Sequence, residues 1–530
     1  MPLRPVRYST FGQATLGDIA ERAFARAAGG AAIEGNDVRL LCDARENFPA
    51  WREALTNAKK YILFEQYIVE NDDVGREFSQ LLADRARAGV KVYAIVDWLG
   101  SWRGLSLWRS VREAGADVRV FNPPRLSSPL GWLSRDHRKT IVVDGELGFV
   151  SGLCLSERWL GNPKRRLEPW RDTGIAIRGP AVAALEQAFT AVFAASGDPL
   201  DASILTPEDR IAPAGTMRLQ VIANEPTIAG TFRMDLIIAS IARRQLWLTD
   251  AYFVATSPYV QALRAAARDD VDVRLLVPGA SDIPALSPLS RAQYRPLLEA
   301  GVRVFEWNGT MLHAKTAVAD RRWSRVGSTN LNLASWMSNY ELDVAIEDAT
   351  FAEQMAWQYE ADLARSTEIV LTRRNRVRRV PEAEAADREA RHASRRAASG
   401  SAGRAAAGAF SVGSALGAAL TDRRILGPAE AGLLFMMAGV SITIGVLAAL
   451  WPRVLAWPVA FVAMWSGIAW AAKGVSLRRG RRGGPRVEQL EDAMQGEPPL
   501  NPAQPAEVST AEGRRSLDQP STRTERDSVA

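Results

Sequence analysis

A chain of 530 residues with 47% apolar content is long enough for two to four domains and too apolar to be a disordered polymer. Its formal charge of +6 is modest for that length, and its arginines are unevenly spread. Two cysteines, Cys42 and Cys154, exclude a disulfide framework, and neither sits in a zinc-ligand cluster, which points to a reducing compartment.

Residues 1–37 read as an N-terminal extension. Their opening stretch, MPLRPVRYSTFGQATLGD, has no apolar h-region, so a secretory signal is not expected and the catalytic part should stay in the cytoplasm. Residues 38–205 and 206–370 then carry one pattern twice, at a spacing of about 180 residues. The first copy runs AKKYILFEQYIV, a helical stretch, AGVKVYAIVD, EAGADVRVF and finally HRKTIVVD at 137–144. The second runs RRQLWLTDAYFV, a helix, DDVDVRLLVP, EAGVRVFEW and HAKTAVAD at 313–320. β-Branched runs alternate with helical periods, which predicts an α/β fold: two lobes related by a pseudo-two-fold axis, each a mixed sheet flanked by helices. A site at the seam between them would receive one histidine from each.

The remaining chain is of a different character. Residues 371–424 form a basic linker, with ten arginines against four acidic residues between Arg373 and Arg404, suited to anionic phospholipid. Residues 425–474 predict a transmembrane helical hairpin. Ala431–Trp451 and Val454–Ala472 are uncharged runs of 21 and 19 residues, each long enough to cross the hydrocarbon layer. Arg423 and Arg424 before the hairpin and Lys473, Arg478, Arg479, Arg481 and Arg482 after it put both ends in the cytoplasm. Residues 475–530 read as a disordered tail.

The chemistry is concentrated in the two short motifs. The chain has three histidines and seven lysines, and His137 with Lys139 and His313 with Lys315 use two of each at one spacing, completed by Asp144 and Asp320. On a strand, residues two apart project from one face, so each histidine would share a face with its lysine. Ser328 and Asn330, again two apart, could join the second pair across a hairpin. Two imidazoles and two ammonium groups suit a phosphodiester: one imidazole attacks phosphorus, the other moves the proton of the leaving oxygen, and the lysines neutralise the non-bridging oxygens. No metal-ligand cluster and no cofactor motif is present, so neither metal nor cofactor is expected.

The pattern H-x-K-x4-D followed by G-S-x-N, complete in HAKTAVADRRWSRVGSTN, resembles the signature of the phospholipase D superfamily, and the two copies look most like those of bacterial cardiolipin synthases. The resemblance covers roughly residues 38–370. It implies a metal-independent ping-pong reaction through a phosphohistidine, with His137 as nucleophile and His313 as general acid. It also implies that Glu341 and Asp172 orient catalytic histidines. The first copy departs from the pattern at SGLC, where Gly152 and Cys154 stand in place of Ser and Asn, so two phosphate donors would be missing there. Cys154 reads as a small packed residue.

The resemblance, taken with the hairpin, predicts a phosphatidyltransferase on the inner membrane of a bacterial-type cell. Phosphatidylglycerol and cardiolipin are the expected lipid partners. Hydrolysis of phospholipid to phosphatidic acid uses the same residues and stays open. A nuclease would use the arginines, although a nucleic-acid partner fits less well, and a tethered binding protein with a relic site is a third reading. Trp98, Trp102, Trp108 and Trp132 lie in segments that resemble active-site loops, where they either meet lipid or pack in the core.

Overall fold

The computed structural model describes residues 22–371, apart from 28, 125–132, 208, 209 and 227, together with 377–379 and scattered positions between 442 and 471. The tail and most of the expected hairpin, the linker and the N-terminal extension therefore lie outside the described residues. Among those residues no helix is long and apolar enough to cross a membrane. The chain divides into two units, Met1–Ala469 and Trp470–Ala530, and both lobes belong to the first.

The first lobe contains β1 (Ile33–Cys42), β2 (Tyr61–Gln66), β3 (Lys91–Asp97), β4 (Asp117–Phe121), β5 (Thr140–Val143), β6 (Leu147–Ser151) and β7 (Thr173–Arg178). The second contains β8 (Met217–Asn224), β9 (Gln245–Thr249), β10 (Asp272–Pro278), β11 (Arg303–Trp307), β12 (Thr316–Ala319), β13 (Trp323–Gly327), β14 (Glu341–Glu347), β15 (Ser366–Leu371) and β16 (Val377–Arg379). Outward from their junction, one half reads β1-β7-β6-β5-β2-β3-β4 and the other β8-β14-β13-β12-β9-β10-β11, with β15 and β16 beyond. The duplicated sequence thus becomes a duplicated strand order. β1 and β8 pair antiparallel and join the halves into one sheet. Within each half, the three strands furthest from the junction in the repeat are parallel and the rest antiparallel, as a mixed sheet requires.

Helices follow where the apolar period changes from two to nearly four. Asp73–Arg87 opens with the Asp72 side chain accepting from the Gly75 backbone N–H at 3.0 Å, and it buries Val74, Phe78 and Leu82 at four-residue intervals. Ala181–Ala195 and Ala349–Leu363 occupy corresponding places in the two repeats. Both contribute to one hydrophobic cluster, in which Leu185, Phe189 and Phe193 share a core with Phe351, Met355 and Tyr359. Each such side chain removed from water contributes about 1.5–3 kcal/mol. Because this cluster spans both repeats, the lobes are halves of one core.

Candidate active site

The two motif histidines sit on short extended segments that enter β5 and β12 and cross to the other lobe before doing so. In the first, the His137 N–H donates to Tyr340 O at 2.9 Å, the Tyr340 N–H donates to Arg135 O at 2.9 Å, and Asp136 and Tyr340 form a parallel bridge. In the second, the Arg171 N–H donates to Met311 O at 2.9 Å, the His313 N–H donates to Arg171 O at 2.7 Å, and Arg171 bridges Leu312. That register puts each histidine beside the residue that follows its bridge partner: His137 beside Glu341, and His313 beside Asp172. The carboxylates are therefore exchanged. His137 Nδ1 lies 2.8 Å from Glu341 Oε2, and His313 Nδ1 lies 2.8 Å from Asp172 Oδ2. The two-residue alternation extends beyond strand boundaries, since both His-x-Lys pairs precede their strands yet keep their lysines on the histidine side.

Two arginines clamp the crossings. Arg138 points opposite to its neighbours His137 and Lys139, and donates to Glu341 O at 3.1 Å, Ala188 O at 2.6 Å and Asn224 O at 3.2 Å. Arg171, beside Asp172, donates to both oxygens of Asp362 at 2.9 and 3.1 Å and to Asp43 Oδ1 at 3.2 Å. Both are buried, and each reaches across the seam. Sequence reasoning missed them. Their signal was available for Arg138, because the alternation that groups His137 with Lys139 sends the residue between them to the other face.

Both histidines, both lysines, Asp172 and Glu341 are buried. Burial lowers the His137 pKa to about 4, with Glu341 opposing and Lys139 and Lys315 reinforcing the shift. Burial likewise lowers His313 to about 4, reinforced by Lys315 and Lys139 and opposed by Asp172. That each lysine acts on both imidazoles places the four groups in one site. Burial alone would raise Asp172 and Glu341, but the facing histidine and the lysines outweigh it and hold both carboxyls below their ordinary range. Each carboxylate is thus ionised and accepts the Nδ1 proton of a neutral imidazole, leaving Nε2 with its lone pair. Burial also lowers Lys315 to about 8. Its ammonium lies 2.9 Å from His313 Nδ1 and 3.0 Å from Nε2, and it bonds His313 O as Lys139 bonds His137 O.

Ser328 and Asn330 behave differently from expectation. Ser328 does not accompany His313: its hydroxyl donates to Glu341 Oε2 at 2.6 Å, so it steadies the carboxylate that serves His137. The Asn330 amide reaches Ser335 Oγ at 3.4 Å, while its Oδ1 has no partner among the described residues. At the corresponding place in the first repeat, a Cβ on Gly152 would stand 2.1 Å from Asp172 Oδ1, so no serine fits. The donor is supplied elsewhere, by the Trp159 indole N–H to Asp172 Oδ2 at 2.7 Å. Trp159 also meets His313 edge to face, with ring centroids 5.2 Å apart and planes at 90°. The missing serine is a relocated hydrogen bond, and Cys154 is fully buried, as a packed residue should be.

Asp144 and Asp320, grouped with the catalytic residues by their motif, lie outside this cluster. Each is beyond the far end of its short strand, seven residues from the histidine and roughly 20 Å away along the extended chain. Asp144 accepts from the backbone N–H groups of Lys59, Lys60 and Tyr61 at 2.8, 2.7 and 3.0 Å. Asp320 accepts from those of Arg243, Arg244 and Gln245 at 2.9, 2.7 and 3.0 Å. Both adopt positive φ, 57° and 52°, which Asp tolerates better than most residues. They fix the entrances to β2 and β9. Of the four tryptophans, Trp108 is in the core, Trp98 is half-buried, Trp102 is exposed and Trp132 lies outside the described residues.

A family model described as "Cardiolipin synthase, PLD-like domain" matches residues 51–190 and 237–363, one segment in each lobe. The chain belongs to this phospholipase D-like family. The cardiolipin synthase A of Pseudomonas aeruginosa is 35% identical over 66% of this chain and 71% of its own. A cardiolipin synthase of Alkalihalophilus pseudofirmus is 31% identical over 63% and 67%. The crystal structure of a phosphatidylserine synthase from Haemophilus influenzae superposes with a TM-score of 0.51 over 72% of this chain and 98% of its own, at 13% identity, and so shares the fold. Within the family motif, the exchanged carboxylates account for Glu341 and Asp172, and the indole accounts for the departure at Gly152.

Proposed function

We infer that this protein is a phosphatidyltransferase of the cardiolipin synthase type. The observation that carries this reading is the pairing of two buried His-carboxylate dyads with two lysines, in a chain whose curated relatives are named cardiolipin synthases. In the proposed first step His137 Nε2 attacks the phosphorus of phosphatidylglycerol. A P–N bond forms, the P–O bond to the head-group glycerol breaks, and His313 gives that glycerol its proton. In the second step His313 takes a proton from the glycerol hydroxyl of another phosphatidylglycerol, whose oxygen displaces His137 and yields cardiolipin. The free imidazoles are neutral at pH 7, so the acid takes its proton from solvent as the anionic phosphodiester binds and its charge raises the pKa of the histidine nearest the leaving oxygen.

Burial of both histidines favours transfer to a lipid hydroxyl over transfer to water. Residues 38–205 and 206–370 would form the catalytic lobes, and 425–474 the hairpin that holds them on the cytoplasmic face of the cell membrane. Labelled phosphatidylglycerol given to detergent-solubilised full chain tests the reading, with His137→Ala and His313→Ala as controls. Cardiolipin and glycerol from the unaltered chain alone are the expected products. Phosphatidic acid would make it a hydrolase, and an inert chain would return nucleic acid as the substrate.

A further inference from the structure

The histidines lie at one end of the sheet, and exposed apolar side chains gather at that same end. Trp102, Leu160, Ile228 and Met337 are 38–49% exposed, and each belongs to a segment leaving the sheet beside the histidines. Trp102 is in the loop after β3. That loop is seated tightly: a Cβ on Gly100 would stand 2.1 Å from Tyr67 O, one on Gly104 2.0 Å from Val69 O, and the Ser101 hydroxyl donates to Tyr67 O at 3.0 Å. Tyr67 in turn meets the His137 ring edge on, at 4.6 Å between centroids. Leu160 follows Trp159, which bonds Asp172. Ile228 follows β8, whose last residue Asn224 pairs with Glu341. Met337 precedes Ser338, whose carbonyl accepts from the Ser134 hydroxyl at 2.8 Å, next to the His137 segment. Each lobe supplies two of the four.

Elsewhere in the described lobes, exposed large apolar residues are scattered: Ile241 ends the helix leading into the other end of β9, Trp357 is midway along Ala349–Leu363, and Val370 is on β15. Basic groups accompany the clustered set. Exposed Lys164, Arg165 and Arg166 form the turn just after Leu160, and the Arg103 guanidinium lies 5.1 Å from the Trp102 ring centroid. A tryptophan with aliphatic neighbours and a basic border matches the interfacial layer of a bilayer that carries negative head groups. We propose that this rim is the docking surface of the catalytic body on an anionic phospholipid bilayer, so that lipid passes to the histidines without leaving the membrane. The proposal rests on the phosphatidyltransferase reading for its partner.

The test uses the full chain reconstituted into vesicles of phosphatidylglycerol and phosphatidylcholine containing a nitroxide-labelled lipid. Trp102's share of fluorescence quenching is the difference between the unaltered chain and Trp102→Phe. A lipid-dependent share is expected, falling by at least half on pure phosphatidylcholine or after Lys164→Glu with Arg166→Glu. No share, or a share indifferent to charge, overturns the proposal. In a second arm, Ile228→Ser with Met337→Ser should cut turnover of bilayer phosphatidylglycerol at least fivefold and leave turnover of monomerically dispersed short-chain phosphatidylglycerol unchanged. Equal effects on both substrates overturn the rim. An unaltered chain inert toward both forms would refute the transferase reading, while the quenching result would still decide whether the rim meets lipid.

Discussion

At Gly152 the two halves of the site differ by one side chain and reach the same end by different routes. Ser328 gives Glu341 a hydroxyl, whereas Trp159 gives Asp172 an indole N–H. Trp159→Phe keeps the ring beside His313 and removes only the donor. A hydrogen bond to a charged group contributes about 1.5–3 kcal/mol, so kcat should fall roughly 10- to 100-fold with little change in KM. A carboxylate deprived of that donor holds the Nδ1 proton more strongly and raises the histidine's pKa. The limb of the pH-rate profile governed by His313 should move to higher pH, and Ser328→Ala should move the other limb. An unshifted profile in both variants would show that neither donor tunes its dyad. Gly152→Ser, which restores the family residue, should be worse than either, because its Cβ occupies the place of Asp172 Oδ1. The sequence made Gly152 visible as a departure. It could not reveal the compensation, since Trp159 lies seven residues further on and meets Asp172 only through the fold.

Among the elements, the short strands β5 and β12 separate chemistry from architecture. Their leading ends carry His137, Lys139, His313 and Lys315, and their trailing ends carry Asp144 and Asp320 on backbone N–H groups. Asp320 is the more exposed of the two aspartates, yet its N–H partners outweigh the effect of burial and hold its carboxyl low. A depressed folded-state pKa contributes stability above the unfolded carboxyl pKa and loses it as pH falls through the folded one. Asp320→Ala should therefore lower the Tm by a few degrees at pH 7 and less at low pH, and Asp144→Ala should lower the Tm at pH 7 through the loss of its three backbone N–H partners. Activity per folded molecule should persist, and a catalytic loss without a Tm change would return these aspartates to the chemistry. Motif spacing alone made all three residue types look catalytic. Short β-branched runs between helical periods located most of the strands, which are buried on both faces, but the cross-lobe bridges at Asp136 and Arg171 involve single residues and leave no periodic trace.

For the molecule as a whole, the duplication visible in the sequence predicts the pseudo-symmetric sheet, and the scarcity of histidine predicts a shared site. What it leaves open is which lobe's carboxylate serves which histidine, because that depends on the register of contacts across the seam. Two buried histidines with pKa near 4 also set a pH response. The unfolded chain takes up protons below about pH 6.5 that the folded chain refuses until near 4, so stability falls as pH drops through that window. Melting curves of the unaltered chain should shift down between pH 6.5 and 5 more steeply than those of a His137→Asn, His313→Asn double variant. Parallel curves would place the pH response elsewhere.

The exchanged carboxylates have a further consequence during synthesis. A ribosome that has finished the first lobe has made His137 and Lys139, but Glu341 is still about 140 codons away. The growing chain therefore emerges without a complete dyad, and both dyads form only when the second lobe closes against the first. A chain broken between the lobes likewise lacks both dyads, because each histidine pairs with a carboxylate from the opposite half.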